Sequence, residues 1–157
     1  MLMALLYADE DFPLGAVQIL RNLGHVVLNL QEAGRFLNQE ITGADGVLEA
    51  GRCLVGLLDG AAVLITRGAE GMSLFRRGDP PLHVAAVARH VFDVTGAGDT
   101  VSGTLALALA AGAALEQAVH LANLAAGVAV GKVGTATVTL DELRQAALAD
   151  AARSEPC

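Results

Sequence analysis

The stretch Asp93-Val94-Thr95-Gly96-Ala97-Gly98-Asp99-Thr100, continued by VSGTLALALAAG to Gly112, decides the reading of this chain. Two glycines flank an alanine, so the backbone can turn tightly and present several N–H groups to one point. An uncharged segment of helical character begins directly after the turn. A helix N-terminus adds partial positive charge aimed at the same place. A phosphate, or the charge that develops on a phosphoryl group in transfer, would be stabilised there. Asp99 stands at the mouth of this anion hole. A carboxylate beside an anion is explained if it works as a general base, taking a proton from an attacking hydroxyl. The bland alternative is that Asp99 caps the helix that follows.

Reading outward from that turn, helices are expected over 99–111, 115–130 and 140–152, with Gly112 and Gly131 as stops. Thr139 with Glu142 three residues on has the form of a capping box for the last of them. Upstream, Ala61–Thr66 (AAVLIT) reads as a buried strand, Gly68–Gly71 as a tight turn, and Met72–Arg76 and Leu82–Val87 as the arms of a hairpin around Gly78-Asp79-Pro80-Pro81. Apolar residues at helical spacing fill 44–58. Before them come a strand at Met3–Ala8, a helix at Leu14–Leu23 stopped by Gly24, a strand at His25–Leu30, and a short helix at Gln31–Leu37. The order strand, helix, strand suggests a parallel α/β unit.

Composition excludes several classes. The 157 residues are 54% hydrophobic and 17% charged, which rules out general disorder. Ten Lys+Arg against 17 Asp+Glu, with 3% aromatics and no Trp, argue against a nucleic-acid surface. Cys53 and Cys157 make neither a disulfide framework nor a metal cluster, so a reducing, cytoplasmic compartment is expected. The longest uncharged stretch, Thr100–Leu115, is 16 residues, short of the ~20 a membrane span needs. The N-terminal apolar run meets Asp9, Glu10 and Asp11 without a basic region, so no signal peptide is read there.

The run DVTGAGDTVSGTLALALAAG resembles the C-terminal signature of the ribokinase-like (pfkB) carbohydrate kinases. Thr66-Arg67-Gly68-Ala69-Glu70-Gly71 resembles that family's Thr-x-Gly-x-x-Gly nucleotide turn. Ala122–Gly127 and Gly131–Thr135 resemble its last core helix and the loop after it. The phrases GMSLF, VFDVTGAGDTV and ANLAAGVAVGKVGTATV, with the pair Leu82-His83, are most similar to the heptose-7-phosphate kinase part of bifunctional ADP-heptose synthases. The resemblance runs from about Ala44 to Leu148.

That resemblance implies a partial ribokinase-like α/β fold: a mostly parallel sheet flanked by helices, C-terminal helices packed on it, and a short βαβ-like segment in front. It implies phosphoryl transfer from ATP to a sugar hydroxyl, with Mg2+ and a monovalent cation, K+. By the resemblance, Asp99 is the catalytic base, and Gly96, Ala97 and Gly98 form the anion hole. Thr66, Gly68 and Gly71 contact ATP, with plain hairpin glycines as the alternative. Asn123 takes a nucleotide-pocket position, with a surface helix residue as the alternative. Asp93 and Thr95, with Gly134 in the 131–135 loop, take the cation site. Lys132 is read as a solvated charge complementing a helix end, and His83, His90 and His120 receive no role.

The expected partners are a sugar phosphate and ATP, with no nucleic acid, no membrane, and a homo-oligomer through an exposed sheet edge. The family's sugar-binding half and its magnesium-linked Asn-x-x-Glu motif are not found before Ala44, and Asn38-Gln39-Glu40 has the wrong spacing. An incomplete kinase half is therefore expected. Residues 1–42 resemble instead the opening of a small PIN-like domain, in which Asp9 and Asp11 would be metal-ligand candidates of a nuclease or simply helix-capping residues. The expected division is 1–43 and 44–157, with a nuclease fragment or a non-catalytic remnant as the alternative functions.

Overall fold

The structure, a computed structural model, describes residues 14–88, 91–134 and 136–154. The expected strand at 3–8, together with Asp9, Asp11, His90, Thr135 and Cys157, lies outside them. Two compact units meet at Ala85/Ala86.

The first unit runs α1 (Leu14–Asn22), β1 (His25–Asn29), α2 (Leu30–Leu37), α3 (Gly43–Leu57), β2 (Ala62–Thr66), a single 3-10 turn (Gly68–Glu70), β3 (Met72–Phe75) and β4 (Leu82–Val84). Gly24, at φ 77°, adopts the left-handed conformation that ends α1 and turns the chain into β1. β1 and β2 pair in parallel, with Asn29 opposite Thr66, and the crossover between them is made by α2 and α3. β2, β3 and β4 then form an antiparallel meander in the order β1-β2-β3-β4. Among the described residues the sheet is therefore mixed rather than mostly parallel, because the connections at 67–71 and 76–81 are too short for a crossover. The strand expected over 82–87 stops at Val84, because its partner Met72 is the first residue of β3.

One core cluster joins Leu28 and Ala33 to Val47, Leu54, Val63, Ile65 and Phe75. Residues on both sides of 43/44 thus share one core, and α2 packs on α3. The expected division at 43/44 does not coincide with the border between the units, since separating 25–37 from 44–75 would expose the apolar faces they bury in each other. Gly51 lets α3 approach β3: a Cβ there would stand 2.4 Å from the Phe75 ring.

The second unit holds α4 (Ala97–Ala110), α5 (Leu115–Val130) and α6 (Leu140–Ser154). α4 packs on α5 and α5 on α6. The buried positions are mostly small: Ala106 and Ala108 on α4, and Ala118, Ala122, Ala125 and Ala129 on α5. Such residues let helix backbones come close. Gly127 continues that stripe, since a Cβ there would lie 2.6 Å from Val87 Cγ2. Among the described residues no helix is long and apolar enough to cross a membrane.

Candidate functional site

In the second unit the Gly-Ala-Gly turn is built as its composition requires. Gly96 is the N-cap of α4, at φ 78° and ψ 1°, a left-handed conformation that a side chain would strain. The helix starts at Ala97, so Asp99 lies in its first turn and not at the cap. Thr100 closes the turn, its Oγ1 donating to Gly96 O at 2.9 Å. Helix first-turn N–H groups have no intrahelical acceptor. Here Val94 O takes that of Ala97 at 3.2 Å. Among the described residues nothing outside its own helix backbone and chain neighbours lies within 4 Å of where a Cβ on Gly98 would be, so the backbone is open to approach at that point. The helix behind it carries no basic residue, and its carboxylate is Asp99.

Asp93 is a clasp. Its Oδ1 accepts from Thr95 N–H at 2.9 Å and its Oδ2 from Gly134 N–H at 3.2 Å. The first bond shapes the 93–96 turn, and the second ties the loop after α5 to it, across 41 positions of sequence. Phe92 N–H donates to Val130 O at 2.8 Å and supports the same junction. The Thr95 backbone N–H, then the Thr95 side chain and the Gly134 N–H, hold the Asp93 carboxyl below the usual aspartate range. Asp93, Thr95 and Gly134, read as a cation site, are thus brought together. Carboxylate and carbonyl oxygens are the donor set a hard monovalent cation takes.

Lys132 is not a solvated helix-end charge. Its Nζ lies 2.7 Å from Glu142 Oε1 and donates to Thr137 O at 2.7 Å. Glu142 also accepts from Thr139 N–H at 2.8 Å and Thr139 Oγ1 at 2.9 Å, while its own N–H donates to Thr139 Oγ1 at 3.3 Å, the expected capping box. The Lys132 ammonium, followed by the two Thr139 donors, holds the Glu142 carboxyl down to about 2. Asn123 is 4% exposed on α5, which removes the reading of it as a surface residue.

In the first unit, Thr66, Gly68 and Gly71 lie at the C-terminal end of β2. Ligands of parallel α/β sheets bind outside that end of the strands. Gly68 and Gly71 have φ 59° and 87°, so both positions need glycine. Arg67 N–H donates to Gly71 O at 2.7 Å and Gly71 N–H to Gly68 O at 3.0 Å, which closes the turn.

The parallel register sets Asn29 directly beside Thr66. Asn29 begins Asn29-Leu30-Gln31-Glu32, which has the Asn-x-x-Glu spacing that the sequence reading did not find before Ala44. The two side chains form a reciprocal capping box: Glu32 N–H donates to Asn29 Oδ1 at 2.8 Å, and Asn29 N–H to Glu32 Oε2 at 2.7 Å. An asparagine at a strand end with glutamate three residues on was the signal. Extending the strand to Leu30 hid it. Among the described residues one oxygen of Glu32 is used in the box and the other is not, which suits a carboxylate that orients a hydrated divalent ion.

A model of the pfkB family carbohydrate kinases matches residues 4–142. The chain belongs to this family. The match includes the segment that resembles a PIN-like opening, and the nuclease reading is not favoured. Over 96 residues the chain is 64% identical to the bifunctional protein HldE of Azotobacter vinelandii, covering 61% of this chain and 20% of that protein. It is 52% identical over 128 residues to HldE of Pseudomonas aeruginosa, covering 82% of this chain and 27% of the relative. The chain thus spans about a fifth to a quarter of the length of these curated relatives.

Among solved structures, Arabidopsis thaliana ribokinase complexed with ribose and ATP is similar at TM-score 0.71 and 25% identity, over 78% of this chain and 40% of that one. Escherichia coli phosphofructokinase-2 in complex with potassium is similar at TM-score 0.72 and 25% identity, over 80% and 41%. The fold of this pfkB chain is ribokinase-like.

Proposed function

We propose that this chain is the ATP-binding and catalytic-base portion of a kinase that phosphorylates a sugar phosphate of the heptose 7-phosphate type. The observation that carries the reading is the start of α4: a left-handed Gly96, an open backbone at Gly98 and a carboxylate, Asp99, in one helical turn. Asp99 takes the proton from the attacking hydroxyl. The hydroxyl oxygen then bonds to the γ-phosphorus while the bond to the bridging oxygen breaks, and ADP leaves. Charge on the transferred group is met by the 96–98 amides and the helix start. Thr66, Gly68 and Gly71 hold the nucleotide phosphates and ribose, and Asn123 serves the nucleotide pocket. Glu32, positioned by Asn29, orients Mg2+ when that ion is bound. Asp93 and the 131–134 loop hold K+, a reading supported by the potassium complex of phosphofructokinase-2.

Catalysis of this kind is mostly positioning plus charge stabilisation. Positioning can account for about 7–11 kcal/mol of a barrier, so the segment of the relatives outside this chain is decisive for turnover. A cytoplasmic location and self-association through a sheet edge belong to the same proposal, with gel filtration to measure the second. The direct test of function is a chimera in which the matching 96-residue segment replaces that of the Azotobacter relative. ATP-dependent phosphorylation of heptose 7-phosphate within tenfold of the parent supports the reading. A folded chimera that prefers ribose or fructose 6-phosphate overturns the substrate, and one inactive on all three overturns the kinase role.

A further inference from the structure

We propose that Arg67, Ser73 and His83 form a hydrogen-bonded brace that fixes the shape of the Gly68–Gly71 turn and thereby sets its affinity for nucleotide, with His83 as a positioning residue. The inference rests on the reading of that turn as a nucleotide contact.

The brace runs from Arg67, the residue after β2, across β3 to β4: Ile65 on β2 pairs with Ser73 on β3, and Ser73 with His83 on β4. Arg67 Nη1 donates to Ser73 Oγ at 3.3 Å, and Ser73 Oγ lies 2.8 Å from His83 Nδ1. Arg67 Nη2 pairs with the Glu70 carboxylate inside the turn. Through its backbone Arg67 also binds Gly71 O and accepts from Glu70 N–H. One residue therefore grips the turn by its backbone and its guanidinium, and the guanidinium rests on Ser73.

The brace has a direction. Arginine only donates, so Ser73 must accept from it. In the proposed brace the single hydroxyl hydrogen of Ser73 goes to His83 Nδ1 as acceptor, with the ring proton on Nε2, the tautomer that uses both that hydrogen and the ring lone pair. Ser73 is 0% exposed while His83 is exposed on β4, so the contact ties a buried hydroxyl to a surface ring. Arg67 Nε is buried without a partner among the described residues, so the Nη contacts alone place the guanidinium. The His83 ring is held edge-on to Phe75, with centroids 6.4 Å apart and planes at 84°.

Removing the acceptor at position 83 strands the Ser73 hydroxyl and loosens Arg67. A three- to tenfold change in affinity corresponds to about 0.7–1.4 kcal/mol, the size of one net hydrogen bond. The test uses the full chain as His83→Leu, His83→Asn, Ser73→Ala and Ser73→Thr, with MgATP titration by calorimetry. Amide exchange at Gly71 and the 15N shifts of the His83 ring are measured in parallel. Leucine keeps bulk without an acceptor, whereas asparagine carries an oxygen on the same Cγ that bears Nδ1.

The expected result is three- to tenfold weaker MgATP binding and faster Gly71 exchange in H83L and S73A. H83N and S73T should stay within twofold of the parent, and the parent should show a hydrogen-free Nδ1. H83L and H83N equally weak, or H83L within twofold of the parent, overturns the brace, as does a protonated Nδ1. Should H83L fail to fold, S73A and the ring nitrogen shifts decide. A parent that binds no MgATP defeats the nucleotide reading of the turn and with it the affinity claim. Gly71 exchange unchanged by S73A would then defeat the brace itself.

Discussion

Gly51→Ala isolates how tightly α3 must sit on the sheet that carries the nucleotide turn. A Cβ at position 51 would stand 2.4, 2.4 and 2.5 Å from three ring carbons of Phe75. Carbon atoms in contact prefer about 3.5–4.0 Å, so the overlap is about 1 Å or more on a ring that cannot swing away. Phe75 is 3% exposed and belongs to the cluster with Leu54, Val55 and Val63. Either α3 lifts from β3 or the ring leaves its rotamer. Overpacking of this kind costs about 1–3 kcal/mol, and so direct a clash belongs at the upper end. The better helix propensity of alanine returns about 1 kcal/mol.

The net loss is therefore about 2 kcal/mol, which for a chain of 157 residues lowers Tm by about 4–8 °C. Gly56→Ala is the internal control. It lies on the same helix, is exposed, and has nothing within 4 Å of its Cβ position, so it should gain stability by about 1 kcal/mol. The assay is thermal unfolding of both variants followed by far-UV circular dichroism. A G51A protein as stable as the parent, or a G56A protein destabilised as much as G51A, would refute the packing argument.

Three further outcomes follow from the site. In the catalytically complete chimera, Asp99→Asn should keep MgATP affinity and lose about 10²–10⁴ in turnover; rates within threefold of the parent would reduce Asp99 to a helix residue. Potassium should strengthen MgATP binding to the chain more than sodium at equal ionic strength, and Asp93→Ala, which releases both the turn and the loop, should abolish the difference; equal affinities of the parent in the two salts would remove the cation assignment. The depressed Glu142 carboxyl gives stability that is fully present above its ordinary value of 4.5 and is lost as pH falls toward about 2; Lys132→Met should shrink the acid loss in that window, read as the difference between the two proteins' unfolding curves, and identical curves would mean that the ion pair is not formed.

Much of this molecule is legible in local sequence because its signals are local. Gly24, Gly96 and Gly112 stop or start helices where left-handed backbone is needed, and AAVLIT reads as a buried strand because every residue of β2 but the last is buried. The Thr139–Glu142 box has its partners three residues apart. What was not legible depends on position in three dimensions. Asn29 reads as a strand residue until β1 is seen to end there, and only then does its pairing with Glu32 become a cap, with Thr66 beside it. Lys132 finds Glu142 ten residues away, across a loop whose path composition does not specify. The sheet's mixed character is set by two short connections rather than by the strands themselves, whose apolar runs look alike in either orientation. The Gly134 amide reaches Asp93 only because α4 and α5 fold back on each other.

The central claim is that this chain binds ATP. Its most direct test is the thermal midpoint of the unmodified chain in potassium buffer as MgATP is raised to millimolar concentration. Ligand at a hundred times its Kd stabilises the folded state by about 2.7 kcal/mol. The account expects the midpoint to rise with MgATP and to keep rising with the logarithm of its concentration. A midpoint that does not move would contradict it.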